Sequence, residues 1–210
     1  MAESNESQWI NIADIMSALM MIFMFIAIAF LYQILNEKEI YKVQLNKALH
    51  KEFDSDLKDW KAVITDDNII RFNSPFISGS DVIPEEFNAI LEQFFPRYIN
   101  LLSSQEFKKE IDEIRVEGHT SNGWGEVTQK QSYLYNMDLS QKRASNVLAY
   151  CYNIEDKVLD KNIHWLQDNL RANGMSFSKL LYKDKEQKIQ DKERSRRVEF
   201  RVVTREHKEI

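Results

Sequence analysis

A run of apolar residues from Trp9 to Leu35, WINIADIMSALMMIFMFIAIAFLYQIL, limits what this chain can become more than any other feature. From Ile15 to Leu35 only Ser17 and Gln33 are clearly polar. As a helix rising about 1.5 Å per residue, the run is long enough to cross a hydrocarbon core of about 30 Å. Asp14 is its one acid. A carboxylate within a span costs about 2.5–3.5 kcal/mol at the centre and less near an end, so it normally faces a protein partner or an ion path. Two readings are open. Asp14 caps a span that begins at Ile15, or it lies inside the span, because Trp9, Ile10, Ile12 and Ala13 carry the apolar character one turn further back. Asp14, Ser17, Ala18 and Met21 fall on one helical face, where small residues admit a second helix. Met16, Met20, Met21 and Met24 read as lipid-facing and packing residues.

Composition fits one anchor and one soluble domain. The chain has 210 residues, a formal net charge of −5 and 29% charged residues, which leaves about 150 residues for a domain of ordinary size. The acidic balance argues against a nucleic-acid partner, and the lone Cys151 rules out an internal disulfide. Ala27-Ile28-Ala29 has the small-x-small form of a cleavage site, but Glu3 and Glu6 precede the run with no Lys or Arg, so a retained anchor is expected. Lys38, Lys42 and Lys47 follow the run; charge alone would put that side in the cytoplasm.

Residues 36–61 change character. They are charge-rich, lack Gly and Pro, and place Leu45, Leu49, Phe53, Leu57 and Trp60 three or four residues apart. A helical linker is predicted, reaching about 37 Å beyond the span. Its apolar stripe suits either pairing with a second copy, as a coiled coil or plug, or packing on the chain's own domain.

The domain is expected over 62–205, with 206–210 as a tail. Ala62–Thr65 and Ile69–Phe72 flank Asp66-Asp67-Asn68 as a hairpin would. Phe87, Ile90, Leu91, Phe94, Tyr98, Leu101 and Leu102 make an amphipathic helix. Ile114, Val116 and Gly118 alternate with Arg115 and Glu117 as a half-buried strand. A helix is predicted to open at Leu139, with Ala144, Val147, Leu148 and Cys151 as its core stripe. Another is predicted over Lys157–Ala172, capped by Asn173 or Gly174, then a short strand at Ser176–Tyr182 and a last one through Val198, Phe200 and Val202. The fold class is α+β, with helices on one face of a sheet.

Two resemblances sharpen this reading. IADIMSALMMIFMF resembles the membrane signature of MotB-type stator subunits, in which an Asp carries the translocated ion. VEGHTSN at 116–122, YNMDLSQKRASNVLAY at 135–150 and RSRRVEFRV at 194–202 resemble, in order, the signature blocks of OmpA-like peptidoglycan-binding domains; SPFISGSDVIPEEFNAIL matches the first strand-to-helix block. Together they imply a single-pass inner-membrane protein with residues 1–8 cytoplasmic, a helix over 9–35 and a periplasmic OmpA-like β/α sandwich. They imply a homodimer inside a pentameric MotA-like multi-span partner, with H+ or Na+ passing through Asp14 and Ser17 and the domain holding the cell wall. Flagellar members are generally longer, with a basic lead; the compact length and the Gly-His-Thr-Ser form look more like the corresponding subunit of an anti-phage defence system. A flagellar-type stator subunit, or a passive OmpA-like membrane-to-wall tether, is the alternative.

The OmpA-like resemblance also implies a wall site. The family grips the free end of a diaminopimelate side chain, which carries an ammonium and a carboxylate, using an Asp after Gly-His-Thr and the Arg of Leu-Ser-x-x-Arg. Here the Arg is Arg143, with Asn136 seven residues earlier, and Ser121 stands where the Asp would be. A hydroxyl cannot neutralise an ammonium, so Asp138, or Glu126 in the preceding loop, is the candidate source of charge. Arg196 and Arg197 are expected to brace the site. His119 is expected to be a hydrogen-bonded loop residue. His50, His164 and His207 have no ligand spacing, and no phosphate loop, HExxH or nucleophile elbow occurs, so no metal, cofactor or enzyme activity is expected.

Overall fold

The computed structural model describes residues 3–73, 75–184, 186 and 188–205. The expected tail and the first two residues of the N-terminal segment lie outside them. The chain divides into two compact units, Met1–Gln44 and Leu45–Ile210.

The first unit is helical. The helix α1 runs Glu3–Phe53, and its stretch from Ile12 is long and apolar enough to cross a membrane, with none of the apolar window buried inside the protein. Asp14 lies eleven residues past Glu3, about three turns into the helix. It is therefore not a cap of α1.

In the second unit five strands form a sheet in the order β1-β2-β5-β3-β4: β1 Ala62–Ile64, β2 Ile69–Asn73, β3 Ile111–His119, β4 Leu170–Gly174 and β5 Arg197–Thr204. Among the described residues only β3 and β4 run parallel, joined by a crossover through helices α3 Gln129–Tyr152, α4 Lys157–Lys161 and α5 Ile163–Asn169. The helix α2, Glu85–Leu102, links β2 to β3, and α6, Lys192–Ser195, leads into β5. The β1–β2 hairpin turns at Asn68 with φ of 58°, a left-handed conformation that Asn tolerates.

Both α2 and α3 cover the sheet face that carries Phe72, Phe200 and Gly118. Phe94 of α2 lies with its ring centroid 4.9 Å from that of Phe200 and 5.1 Å from that of Phe72. The linker stripe joins this core: Leu45, Leu49, Phe53 and Trp60 are buried, and Phe53 and Trp60 pack against Phe94. Arg97 of α2 closes the contact by donating to Glu52 Oε1 at 2.7 Å and Asp56 Oδ2 at 2.9 Å, with its guanidinium over the Phe53 ring. Of the two readings of this stripe, packing on its own domain is the one found for these residues; apolar side chains already buried cannot form a seam with a second copy.

Two predicted elements move. The helix α3 begins at Gln129, ten residues before Leu139, because Thr128 and Gln131 make a reciprocal capping box. The helix predicted to end near Ala172 stops at Asn169, and Leu170–Gly174 is a strand, so Ser176–Tyr182 is not. Gly174 is thus no helix cap. It lets α3 approach, since a Cβ there would lie 2.7 Å from the backbone N of Gln141; at Gly118 a Cβ would lie 2.2 Å from Ser140 O. Gly118→Ala is expected to force α3 off the sheet and lower stability by about 3 kcal/mol, as overpacking does. Thermal melting of the full chain in detergent checks this; an unchanged Tm would show that α3 shifts at no cost.

Candidate functional site

The site forms where α3, the β3–α3 loop and the start of β5 meet. Gly123 and Gly125, at φ of 99° and 66°, turn the loop, and it brings Thr120, Ser121 and Trp124 beside α3. The ring centroid of Trp124 lies 5.6 Å from that of Tyr135, with the two rings inclined at 49°. The helix is pinned above β4, where Gln141 Oε1 accepts from Gly174 N at 2.7 Å and Ser140 Oγ accepts from Ser176 N at 2.9 Å. Asn136 and Arg143, one turn to either side of these ties and on one helical face, are held in turn.

These residues line an open cavity of about 460 Å³ with Ser78, Gly79, Leu139 and Arg196. Arg143 is 1% exposed. It donates from Nε to Ser80 O at 2.8 Å and from Nη2 to Ile77 O at 3.0 Å, and its guanidinium sits 4.8 Å from the Phe76 centroid. Burial, then the neighbouring Arg196, push its pKa down to about 10. Asn136 donates to Ser132 O at 2.8 Å. Thr120 Oγ1 and Arg196 Nε are buried without a hydrogen-bond partner.

Four expected site residues, Ser121, Asn136, Arg143 and Arg196, therefore meet in one cavity. Asp138 does not: it is 65% exposed and paired with Lys142 at 2.8 Å, because it lies two residues past Asn136 and so on another face of α3. Glu126 is exposed and lines no part of the cavity. Arg197 is also elsewhere. Strand alternation turns it to the sheet face opposite the helices.

That opposite face holds a buried ionic cluster. Glu117 of β3 and Glu199 of β5 are direct cross-strand partners, an arrangement of like charges that destabilises a sheet unless compensated. Arg71 and Arg197 each donate from Nε to Glu199 Oε1 at 2.7 Å, and Arg201 donates from Nε to Glu117 Oε1 at 3.0 Å. His119 is not a loop residue but the end of β3, fully buried, with neither ring nitrogen hydrogen-bonded. Its Nε2 lies 3.4 Å from Glu199 Oε2 and 3.7 Å from Glu117 Oε2. Burial alone pushes the Glu199 carboxyl up; the imidazole of His119 and the guanidinium of Arg197 outweigh it and hold the carboxyl well below the usual range. Glu117 is also held low, by His119 and Arg201 against burial.

Glu117, His119 and Glu199 could present three ligand atoms to a metal ion. Three guanidiniums already neutralise the two carboxylates, so a cation there would meet excess positive charge. The cluster braces the strand ends that carry Thr120, Ser121 and Arg196. The signal for it was the alternation of charged residues along β3 and β5, which reads equally well as a solvated face.

Residues 76–194 match the OmpA family. Over 217 aligned residues the chain is 38% identical to Zorya protein ZorB of Escherichia coli (strain Crooks), covering 96% of this chain and 90% of that protein. Among solved structures it is similar to the cell wall anchor of the T6SS from Pseudomonas aeruginosa, with 22% identity, a TM-score of 0.47, and coverage of 75% of this chain and 97% of that one. It is also similar to the periplasmic domain of Helicobacter pylori MotB, with 16% identity, a TM-score of 0.43, and coverage of 67% and 78%.

Proposed function

We propose a function from the premise that this chain belongs to the OmpA family and to the Zorya protein ZorB family. It is the wall-anchored subunit of a MotAB-like, ion-driven rotary motor serving anti-phage defence. Two copies insert their helices, spanning about residues 9–35, into a pentameric MotA/ZorA-like multi-span partner in the bacterial inner membrane. The N-terminus is cytoplasmic, and the domain over 62–205 is periplasmic and binds peptidoglycan. Asp14, with Ser17 one turn on, loads and releases H+ or Na+, and each cycle of charge on that carboxylate favours a different packing of the surrounding ring. The chain itself catalyses no covalent reaction and takes no cofactor.

The observation that carries this reading is Asp14 itself. It lies inside an exposed apolar helix rather than at its end, where a carboxylate is costly unless a partner or ion path receives it. The arginine-lined cavity supports the wall-binding half, since a buried guanidinium suits bidentate recognition of a carboxylate.

Co-sedimentation of the full chain in detergent with purified sacculi tests the wall-binding half. Wild type is expected to pellet, and Arg143→Ala to lower the bound fraction at least about fivefold, in line with losing a charge-assisted pair. Arg143→Lys, which keeps the charge but not the fork, should fall between them. Equal retention of all three would remove the cavity as the wall site.

A further inference from the structure

The described residues that line the cavity include two guanidiniums and no carboxylate. Asp81 is near enough to act on Arg143, but it does not line the cavity; Asp138 and Glu126 lie outside it. A ligand ammonium placed beside Ser121 would sit near two positive charges, with no carboxylate among the described lining residues to offset them. A carboxylate, by contrast, meets Arg143, already fixed by two loop carbonyls and a ring, and Arg196, whose buried Nε has no partner. The remaining polar side chains of the lining are neutral: Asn136, whose Nδ2 donates to Ser132 O, and the hydroxyls of Ser78, Ser121 and Thr120, the last 2% exposed with an unpartnered Oγ1. A hydroxyl both donates and accepts, so it matches an amide's N–H and C=O equally well.

We propose that this cavity selects a stem-peptide end whose carboxylate is free and whose neighbouring side-chain nitrogen is a neutral, acylated amide, as in cross-linked wall, without preferring a free ammonium. The proposal rests on the wall-binding reading above and specifies its ligand. Acylation removes the one charge the cavity cannot offset and leaves the carboxylate that both arginines can bind. Trp124, which lines the cavity, and Tyr135 in ring contact with it offer apolar surface to the added acyl segment.

Titration calorimetry on the full chain in detergent tests this with three synthetic tripeptides ending in diaminopimelate: side-chain amine free, the same amine acetylated, and the acetylated form with its adjacent carboxylate converted to the amide. The acetylated peptide is expected to bind at least as tightly as the free-amine peptide. Amidating the carboxylate should weaken binding at least tenfold. Ser121→Asp, which adds a carboxylate beside the nitrogen, should shift the preference at least tenfold toward the free amine. A wild-type preference for the free amine, a smaller loss on amidation or a smaller shift with Ser121→Asp overturns the proposal. If no peptide binds while sacculi still pellet, this proposal fails and the wall-binding reading stands. If neither binds, both fall.

Discussion

Asp14→Asn is expected to abolish ion flux and phage protection while leaving membrane insertion, dimerisation and sacculus binding intact. Asparagine keeps the shape and hydrogen-bonding reach of the side chain but can neither take up a proton nor pair with Na+ as an anion. The exchange is mild for the helix, since Asp and Asn differ little in intrinsic propensity, by about a few tenths of a kcal/mol at most. Removing the charge also lowers the cost of holding the residue in lipid, so insertion should not suffer. A loss of function therefore separates ion carrying from anchoring. Flux measured in vesicles holding the chain with a MotA/ZorA-like multi-span protein should fall to the background of vesicles that lack the chain, since an intramembrane carboxylate that carries the ion has no substitute in an amide. Asp14→Glu, which restores the charge one methylene further out, should recover part of it. Full flux and protection in Asp14→Asn would leave only a membrane-to-wall tether.

Most of the architecture was legible where one physical rule acted alone. The apolar run, the α2 stripe through Phe87, Leu91 and Phe94, and the alternation of Val198, Phe200 and Val202 all follow from burial on a single face. Legibility failed where two rules competed. LRANG reads as the tail of a helix, yet β4 forms there because Leu170–Gly174 pairs in parallel with Ile114–Gly118 of β3, with Gly174 leaving room for Gln141 above it. The first turns of α3, which the Thr128–Gln131 capping box opens, expose Leu134 and Tyr135, so apolar periodicity placed the start of the helix too late. In the cavity, seven-residue spacing brought Asn136 and Arg143 together, whereas the adjacency of Arg196 and Arg197 was misleading. Neighbours on an extended chain point to opposite faces. The charged alternation of β3 and β5 was visible from the start; that it is buried depends on chain segments distant in sequence, such as the one whose Lys179 carbonyl accepts from Arg197.

That buried cluster carries the largest expected effect on stability. Glu199→Gln should destabilise the domain by about 3–5 kcal/mol, the usual cost of removing one partner from a buried ionic pair. The loss is large because Glu199 compensates more than one cation: Arg71 and Arg197 share its Oε1, and Arg201 Nη2 approaches its Oε2 to 3.7 Å. An amide cannot neutralise them, and Glu117 alone would face all three guanidiniums with His119 and the nearby Lys179. The same geometry sets an acid dependence. Because folding lowers the Glu199 and Glu117 pKa values, their contribution is complete above the unfolded value of 4.5 and is lost as pH falls below it toward the folded values. Wild-type stability in urea should therefore drop steadily below that point, and Glu199→Gln, weaker at neutral pH, should show a shallower acid decline. Parallel acid limbs for the two proteins would mean that Glu199 is not held low in the folded state. Glu199→Gln should also weaken sacculus binding without touching the cavity, since Arg196 and Ser121 stand on the strand ends that this cluster fixes. Unchanged binding by a variant that has lost the expected stability would separate the brace from the site.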